Sequence, residues 1–189
     1  GTVAALLTLY QYGKADLSMA LNGALGGLVA ITAGCAFVTP ISSLVIGAAA
    51  GTLIVIAVPF FDRLRADDPV GAIAVHGVCG TFGTLAVGIF AQQGGLLYGG
   101  GVHLLLIQLL GVTAVGLWGF GATYALFSLL KATVGIRVTE EEELVGLDLS
   151  EHGISAYTDM EYPLMQRMPQ TLPVMEKSLQ LDEETVSPI

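Results

Sequence analysis

Four stretches of this chain are long, apolar and free of charge, and they constrain its fold more than any other feature. Leu17 to Pro40, Ile41 to Phe61, Val70 to Gln92 and Val102 to Leu130 contain no Asp, Glu, Lys or Arg. A helix crossing a hydrocarbon core of about 30 Å needs about 20 residues at 1.5 Å each, and each run reaches that length. Thr2 to Tyr10 is shorter and reads as the end of a further helix. The expected architecture is all-α, a polytopic membrane helix bundle with a partial helix over 1–12 and spans at about 17–34, 41–61, 69–92 and 102–131. Because the chain opens on Gly1-Thr2-Val3 inside an apolar stretch, with no basic region before it, this start reads as a fragment entered partway through a helix and not as a signal peptide.

Charge is sparse and unevenly placed. Only 12% of residues are charged and mean hydropathy is +0.74, whereas a soluble domain carries about a quarter charged residues. The net charge of −9 comes from the C-terminal part: 5 basic and 4 acidic residues lie up to Arg137, and 2 and 12 follow it. No basic surface exists to neutralise a run of phosphates, which excludes nucleic acid as a partner. Lys14, Arg63, Arg65, Lys131 and Arg137 all fall on one side if the spans are threaded consecutively, and the loops around Gly34 to Pro40 and Gly94 to Gly101 carry no charge. Basic residues mark the cytoplasmic face, so the C-terminus is expected in the cytoplasm of a multi-pass protein of the cell membrane.

Small residues recur within the spans: Ala20, Gly23 and Gly27; Gly47 and Gly51; Gly77, Gly80, Gly83, Thr84 and Gly88. In lipid such residues let helix backbones approach closely, and their number implies a tightly packed bundle.

His76 is the one ionisable side chain inside a span. With Asp68 as N-cap and Pro69 at the first helical position, it is expected about 10 Å into its helix. An ionised group there would cost at least about 2.5 to 3.5 kcal/mol, which a neutral imidazole avoids while offering one donor and one acceptor. The neighbours at helical spacing, Ala72, Ile73, Cys79 and Gly80, are apolar or small. A narrow, dry site with one hydrogen-bonding point suits a small neutral polar solute or a proton relay; a core histidine tied to a neighbouring carbonyl is the alternative. No metal or cofactor is expected, because a zinc site on His76 and Cys79 lacks further ligands. Cys35 and Cys79 lie in apolar runs and form no disulfide scaffold, and Ser42 and Ser43 lack the turn of a serine hydrolase. His103 reads as interfacial, and Asn22 either lines a vestibule or bonds between helices.

At this point the motifs become specific. Asp67-Asp68-Pro69-Val70-Gly71-Ala72-Ile73-Ala74-Val75-His76-Gly77-Val78-Cys79-Gly80 resembles the tenth-helix signature of the ammonium transporter family. Asn22 through Cys35 resembles its eighth helix, and Gly146-Leu147-Asp148 through Glu151-His152-Gly153 to Ala156-Tyr157 resembles its cytoplasmic tail. The resemblance implies an eleven-helix protomer of two inverted halves, assembled as a homotrimer with one pore per protomer. This chain would supply the end of helix seven, helices eight to eleven and the tail. His76 matches the second of the family's two pore histidines; Ala72, Ile73 and Asn22 are its candidate companions, and Asp68 is structural at the start of the pore helix. The implied function is an ammonium and ammonia channel or transporter, not an enzyme. Ammonium gives up its proton at the outer mouth and ammonia passes an apolar lumen. An acidic residue can stand in the family where Gly71 stands here, and no acidic role is assigned to that position. The tail residues Gly146, Asp148, His152, Gly153 and Tyr157 are candidates for coupling protomers and for bordering the site of a PII-type signalling protein. Leu144, Val145 and Leu147 are expected to be buried against the cytoplasmic face, and 159–189, with four prolines among scattered acids, to be disordered. Two other readings are an ammonium sensor of the same fold acting through a cytoplasmic partner, and a membrane enzyme using His76 as a base.

Overall fold

A computed structural model describes residues 1–156, which are helical apart from turns and loops and contain no strand. They fall into two units, residues 1–129 and a second beginning at Leu130. The first holds α1 (Thr2–Tyr12), α2 (Leu17–Thr32), α3 (Pro40–Arg63), a π-helical segment (Ile73–Val78) that runs directly into α4 (Cys79–Phe90), and a 3-10 turn (Leu96–Tyr98). Helix α5 spans His103–Thr133, and the second unit contains the short helices α6 (Glu140–Val145) and α7 (Leu147–His152). Tyr157 and the tail over 159–189 lie outside the described residues.

Three helical segments are long and apolar enough to cross a membrane: Pro40–Arg63, Ile73–Phe90 and His103–Thr133. Helix α2 has 16 residues, about 24 Å, and is shorter than the expected span. Its limits are local. Asp16 caps its first turn by accepting from Met19 N at 2.9 Å, and past Thr32 the chain enters turns through Gly34. Thr39 caps α3 in the same manner, accepting from Ser42 N at 3.1 Å ahead of Pro40, whose fixed φ suits a first helical position.

The core is built from small and β-branched side chains, as close packing in lipid requires. Ala30, Ile46, Ala50, Ile54, Ala57, Ala74, Val75, Cys79 and Ala86 form one buried cluster. Glycine sets the helix separations: a Cβ at Gly26 would meet Ile54 Cγ1 at 2.9 Å and Cys79 Sγ at 3.1 Å, and one at Gly83 would lie 2.6 Å from Ala30 Cα. A Cβ at Gly88 would strike the backbone of Leu105 at the start of α5. Thr8, wholly buried, donates to Ala4 O at 3.0 Å and accepts from Asp16 N at 3.1 Å, which ties α1 to the start of α2 without leaving a polar atom unpaired.

Candidate functional site

The helix bearing His76 begins three residues later than the sequence suggests. Asp68 and Pro69 lie before it, and its first helical residue is Ala72. Gly71 explains the delay: its φ of +74° is a left-handed conformation that breaks a continuous helix, and the backbone there passes so close to α2 that a Cβ would lie 2.7 Å from Asn22 Nδ2. Asp68 still satisfies the first turn from outside it. Its two carboxylate oxygens accept from Ala72 N at 2.7 Å and Ile73 N at 2.8 Å.

Asn22 and Asp68 line one cavity of about 380 Å³ with Asp16, Asp62 and Gly71, beside Arg63 at the end of α3 and the loop that carries Arg65. A second, more apolar hollow of about 490 Å³ lies along the His76 helix, lined by Leu53, Phe61, Ile73, Gly77, Thr81 and Phe82 among others. Phe61 and Thr81 line this hollow without belonging to the motif, and the sequence offers no signal for either.

His76 itself is exposed, as are Ala72, Ile73 and Gly77, while Ala74, Val75 and Cys79 are buried. The chain therefore places the imidazole on a face of its own bundle that it does not enclose. Helical spacing of three residues would put Cys79 beside His76, yet the π-helical turn sends them apart: Cys79 Sγ points at the carbonyl of Ala50, 3.8 Å away. No group of three or more His, Cys, Asp or Glu side chains able to hold a metal ion occurs among the described residues.

The other candidates are dispersed. His103 is exposed at the start of α5; Ser43 donates to Pro40 O at 2.7 Å, and Ser42 shares a 2.9 Å hydrogen bond with Thr39. The phenol of Tyr98 lies against these last two hydroxyls, and the hydrogen bonds from Thr39 and then Ser42 hold it below its ordinary pKa. Backbone pairing joins the same region, with Gln92 N donating to Phe37 O at 2.9 Å.

In the second unit Gly146 links α6 to α7 at φ +102°, and a Cβ there would lie 2.6 Å from Asp148 Oδ1. Asp148 reaches forward to accept from Ala156 N at 2.8 Å, and Gly153 closes α7 at φ +64° just after His152. Thr139 and Glu142 form a reciprocal capping box, and Arg137 pairs with both oxygens of Glu143 at 2.8 and 2.9 Å. Within the second unit Leu144, Val145 and Leu147 remain 68%, 37% and 44% exposed, since two six-residue helices are too short to close over them.

Hydrogen bonds to carboxylates make this tail acid-sensitive. Backbone and then side-chain hydrogen bonds from Thr139 lower the Glu142 pKa, and the Ala156 N–H lowers that of Asp148. A depressed folded-state pKa contributes order above the unfolded value and loses it as pH falls through the folded one. Amide protection over 139–156, corrected for the intrinsic pH dependence of exchange, is therefore expected to be highest near neutrality and to fall once pH drops below about 4, relative to that of a Glu142→Gln, Asp148→Asn variant. An equal loss of protection in both proteins contradicts the assignment.

The profile of the Ammonium Transporter Family matches residues 1–157. Ammonium transporter Amt2 of Archaeoglobus fulgidus is 43% identical over 185 residues, covering 88% of this chain and 39% of the relative. A putative ammonium transporter of Synechocystis sp. is 44% identical over 140 residues, covering 74% and 30%. Ammonium transporter Amt1 of Haloferax mediterranei is 40% identical over 161 residues, covering 84% and 30%. The chain spans less than two fifths of the length of each of these relatives.

Proposed function

From the premise that the chain belongs to the ammonium transporter family, we propose that it forms one wall of a pore that passes ammonia derived from ammonium, with His76 as the conducting side chain. One observation carries the reading: His76, the one His, Asp, Glu, Lys or Arg within Ile73–Phe90, stands on an exposed face between apolar and small neighbours, Ala72, Ile73 and Gly77. A neutral imidazole left facing lipid has no hydrogen-bond partner, which favours a second pore wall over this face. In the inverted-repeat plan of membrane transporters, site residues meet at the junction of two halves. The remaining part of a protomer the length of the relatives would supply the opposite half, the first pore histidine and the outer binding site.

Across such a lumen ammonium gives up its proton and ammonia moves past His76, which accepts or donates one hydrogen bond at a time. The proton is either left outside or relayed through the imidazole. Potassium has no proton to give up and faces the full cost of desolvation, so selection rests on acid–base chemistry more than on diameter. Asn22 and Asp68 belong to the cavity at the inner mouth. The transporter is a homotrimer of the cell membrane with its tail in the cytoplasm, where Gly146, Asp148, His152, Gly153 and Tyr157 couple protomers and border a docking site for a PII-type protein. The basic residues Lys14, Arg63 and Arg65, flanking the spans at one end, support this orientation.

In the full-length transporter, His76→Ala is expected to keep its level in the membrane and its trimeric state. Uptake of methylammonium should fall about tenfold, about 1.4 kcal/mol in the barrier, or become permeable to potassium. Uptake and current that match the wild type in both respects would remove His76 from the pore.

A further inference from the structure

The helix is not α-helical where the histidine sits. Cys79 N donates to Ala74 O, five residues back, and Ile73–Val78 form a π-helical turn. Such turns are rare, are mostly single bulges within α-helices, and concentrate at functional sites. A turn closed by bonds to the fifth preceding residue holds about 4.4 residues, roughly 80° each, against about 100° in an α-helix.

That difference decides which way His76 faces. Counting back from Cys79, which is 0% exposed, α-helical winding would set His76 about 60° from the buried direction, and π winding sets it about 115° away. Ala74 moves the other way, from about 140° to about 50°, and both Ala74 and Val75 are buried, at 0% and 2% exposure. The extra residue thus brings Ala74 inward, keeps Val75 inward and turns the imidazole outward.

The turn is held from both ends. At its start the Asp68 carboxylate binds Ala72 N and Ile73 N, and Gly71 is pressed against Asn22. At its end Cys79 Sγ lies against the Gly26 and Ile54 packing surface, and Gly83 abuts the backbone of Ala30. Neither end can rotate to relieve the bulge without breaking these contacts.

We infer that the π-helical turn is the device that positions His76 in the pore, with Gly77 as the residue that accommodates it. A Cβ at Gly77 would meet only Ile73 Cγ2, at 3.8 Å, so this glycine is not required by packing against another helix. The inference rests on the proposed role of His76, and the test separates the two.

In the full-length transporter, deletion of Gly77 removes one residue between the pinned ends and restores α-helical winding, which leaves His76 two residues before Cys79 and turns it by about 45°, to about 160° from the buried direction. The deletion variant is expected to reach the membrane as a trimer, with the methylammonium KM unchanged and maximal uptake lowered at least tenfold. Combined with His76→Ala, the deletion should produce no further loss, because it acts through the imidazole; a merely structural role would lower uptake again. Wild-type uptake by the deletion variant, or additive losses in the combination, would overturn the inference and leave the pore reading standing. An inert His76→Ala would overturn the pore reading itself. If the deletion variant does not fold, an experimental structure of the wild-type full-length protein decides: Cys79 N on Ala74 O supports the device, and Cys79 N on Val75 O overturns it.

Discussion

Gly83→Val is expected to dismantle the bundle. The Cβ of any residue at 83 would lie 2.6 Å from Ala30 Cα and still closer to its carbonyl oxygen, so the obstacle is backbone and not a side chain free to swing aside. Overpacking a well-filled interior costs about 1–3 kcal/mol when side chains can give way, and a backbone obstacle places this substitution at or above about 3 kcal/mol. Separating α2 from α4 also releases Cys79 from Gly26. Thermal or denaturant unfolding in detergent should show a large loss of stability, or the protein should fail to accumulate. Gly47→Ala is the matched control, since a Cβ there meets nothing within 4 Å. Equal stability of the two variants would mean that the contact between α2 and α4 is not as close as described.

Gly71→Val attacks the site and leaves the core intact. A β-branched residue at φ +74° is strained by about 1–3 kcal/mol wherever it occurs, and here its Cβ must also displace Asn22 Nδ2. The cheapest relief is to withdraw the chain between Asp68 and Ala72, which pulls the carboxylate off the first two amides of the His76 helix. The expected result is a trimer that inserts and loses most of its methylammonium uptake, about tenfold or more. Gly71→Ala should be milder, and Asn22→Ala in the Gly71→Ala background should recover part of the loss by opening space. If that second substitution makes matters worse, Asn22 is not the obstacle.

How much of this the sequence discloses depends on the kind of signal. Burial in lipid leaves a plain mark, a run without charge, and the runs locate α3, the His76 helix and α5. Helix ends are disclosed where a cap carries the information: Thr39-Pro40 begins α3 where the pattern places it. Asp68-Pro69 has the same form and does not begin a helix, because the φ of Gly71 interrupts it and no pattern of residue types encodes a backbone angle. Small-residue spacing says that helices approach and not where. Gly83 and Gly88 are pressed against backbone, Gly47 and Gly77 are open, and Gly26, which sits against Ile54 and Cys79, stands one place from the glycine that spacing selects. The π-helical turn leaves no mark in Ile73-Ala74-Val75-His76-Gly77-Val78, since it arises from contacts at its two ends. The tail's apolar Leu144, Val145 and Leu147 are not covered within their own unit, because the elements that carry them are a turn and a half long.

The bond from Gln92 to Phe37 has a mechanical consequence. It ties the connection between α2 and α3 to the exit of α4, and the Tyr98 phenol adds a second tie at Thr39 and Ser42. At the opposite end, the segment from Leu64 to Val70 contains Arg65 at φ +58° and belongs to no helix. The uncharged end of the first unit is thus stitched by bonds between separate connections, whereas at the charged end the segment from Leu64 to Val70 bonds back to α3 and forward to the His76 helix, joining its neighbours in sequence.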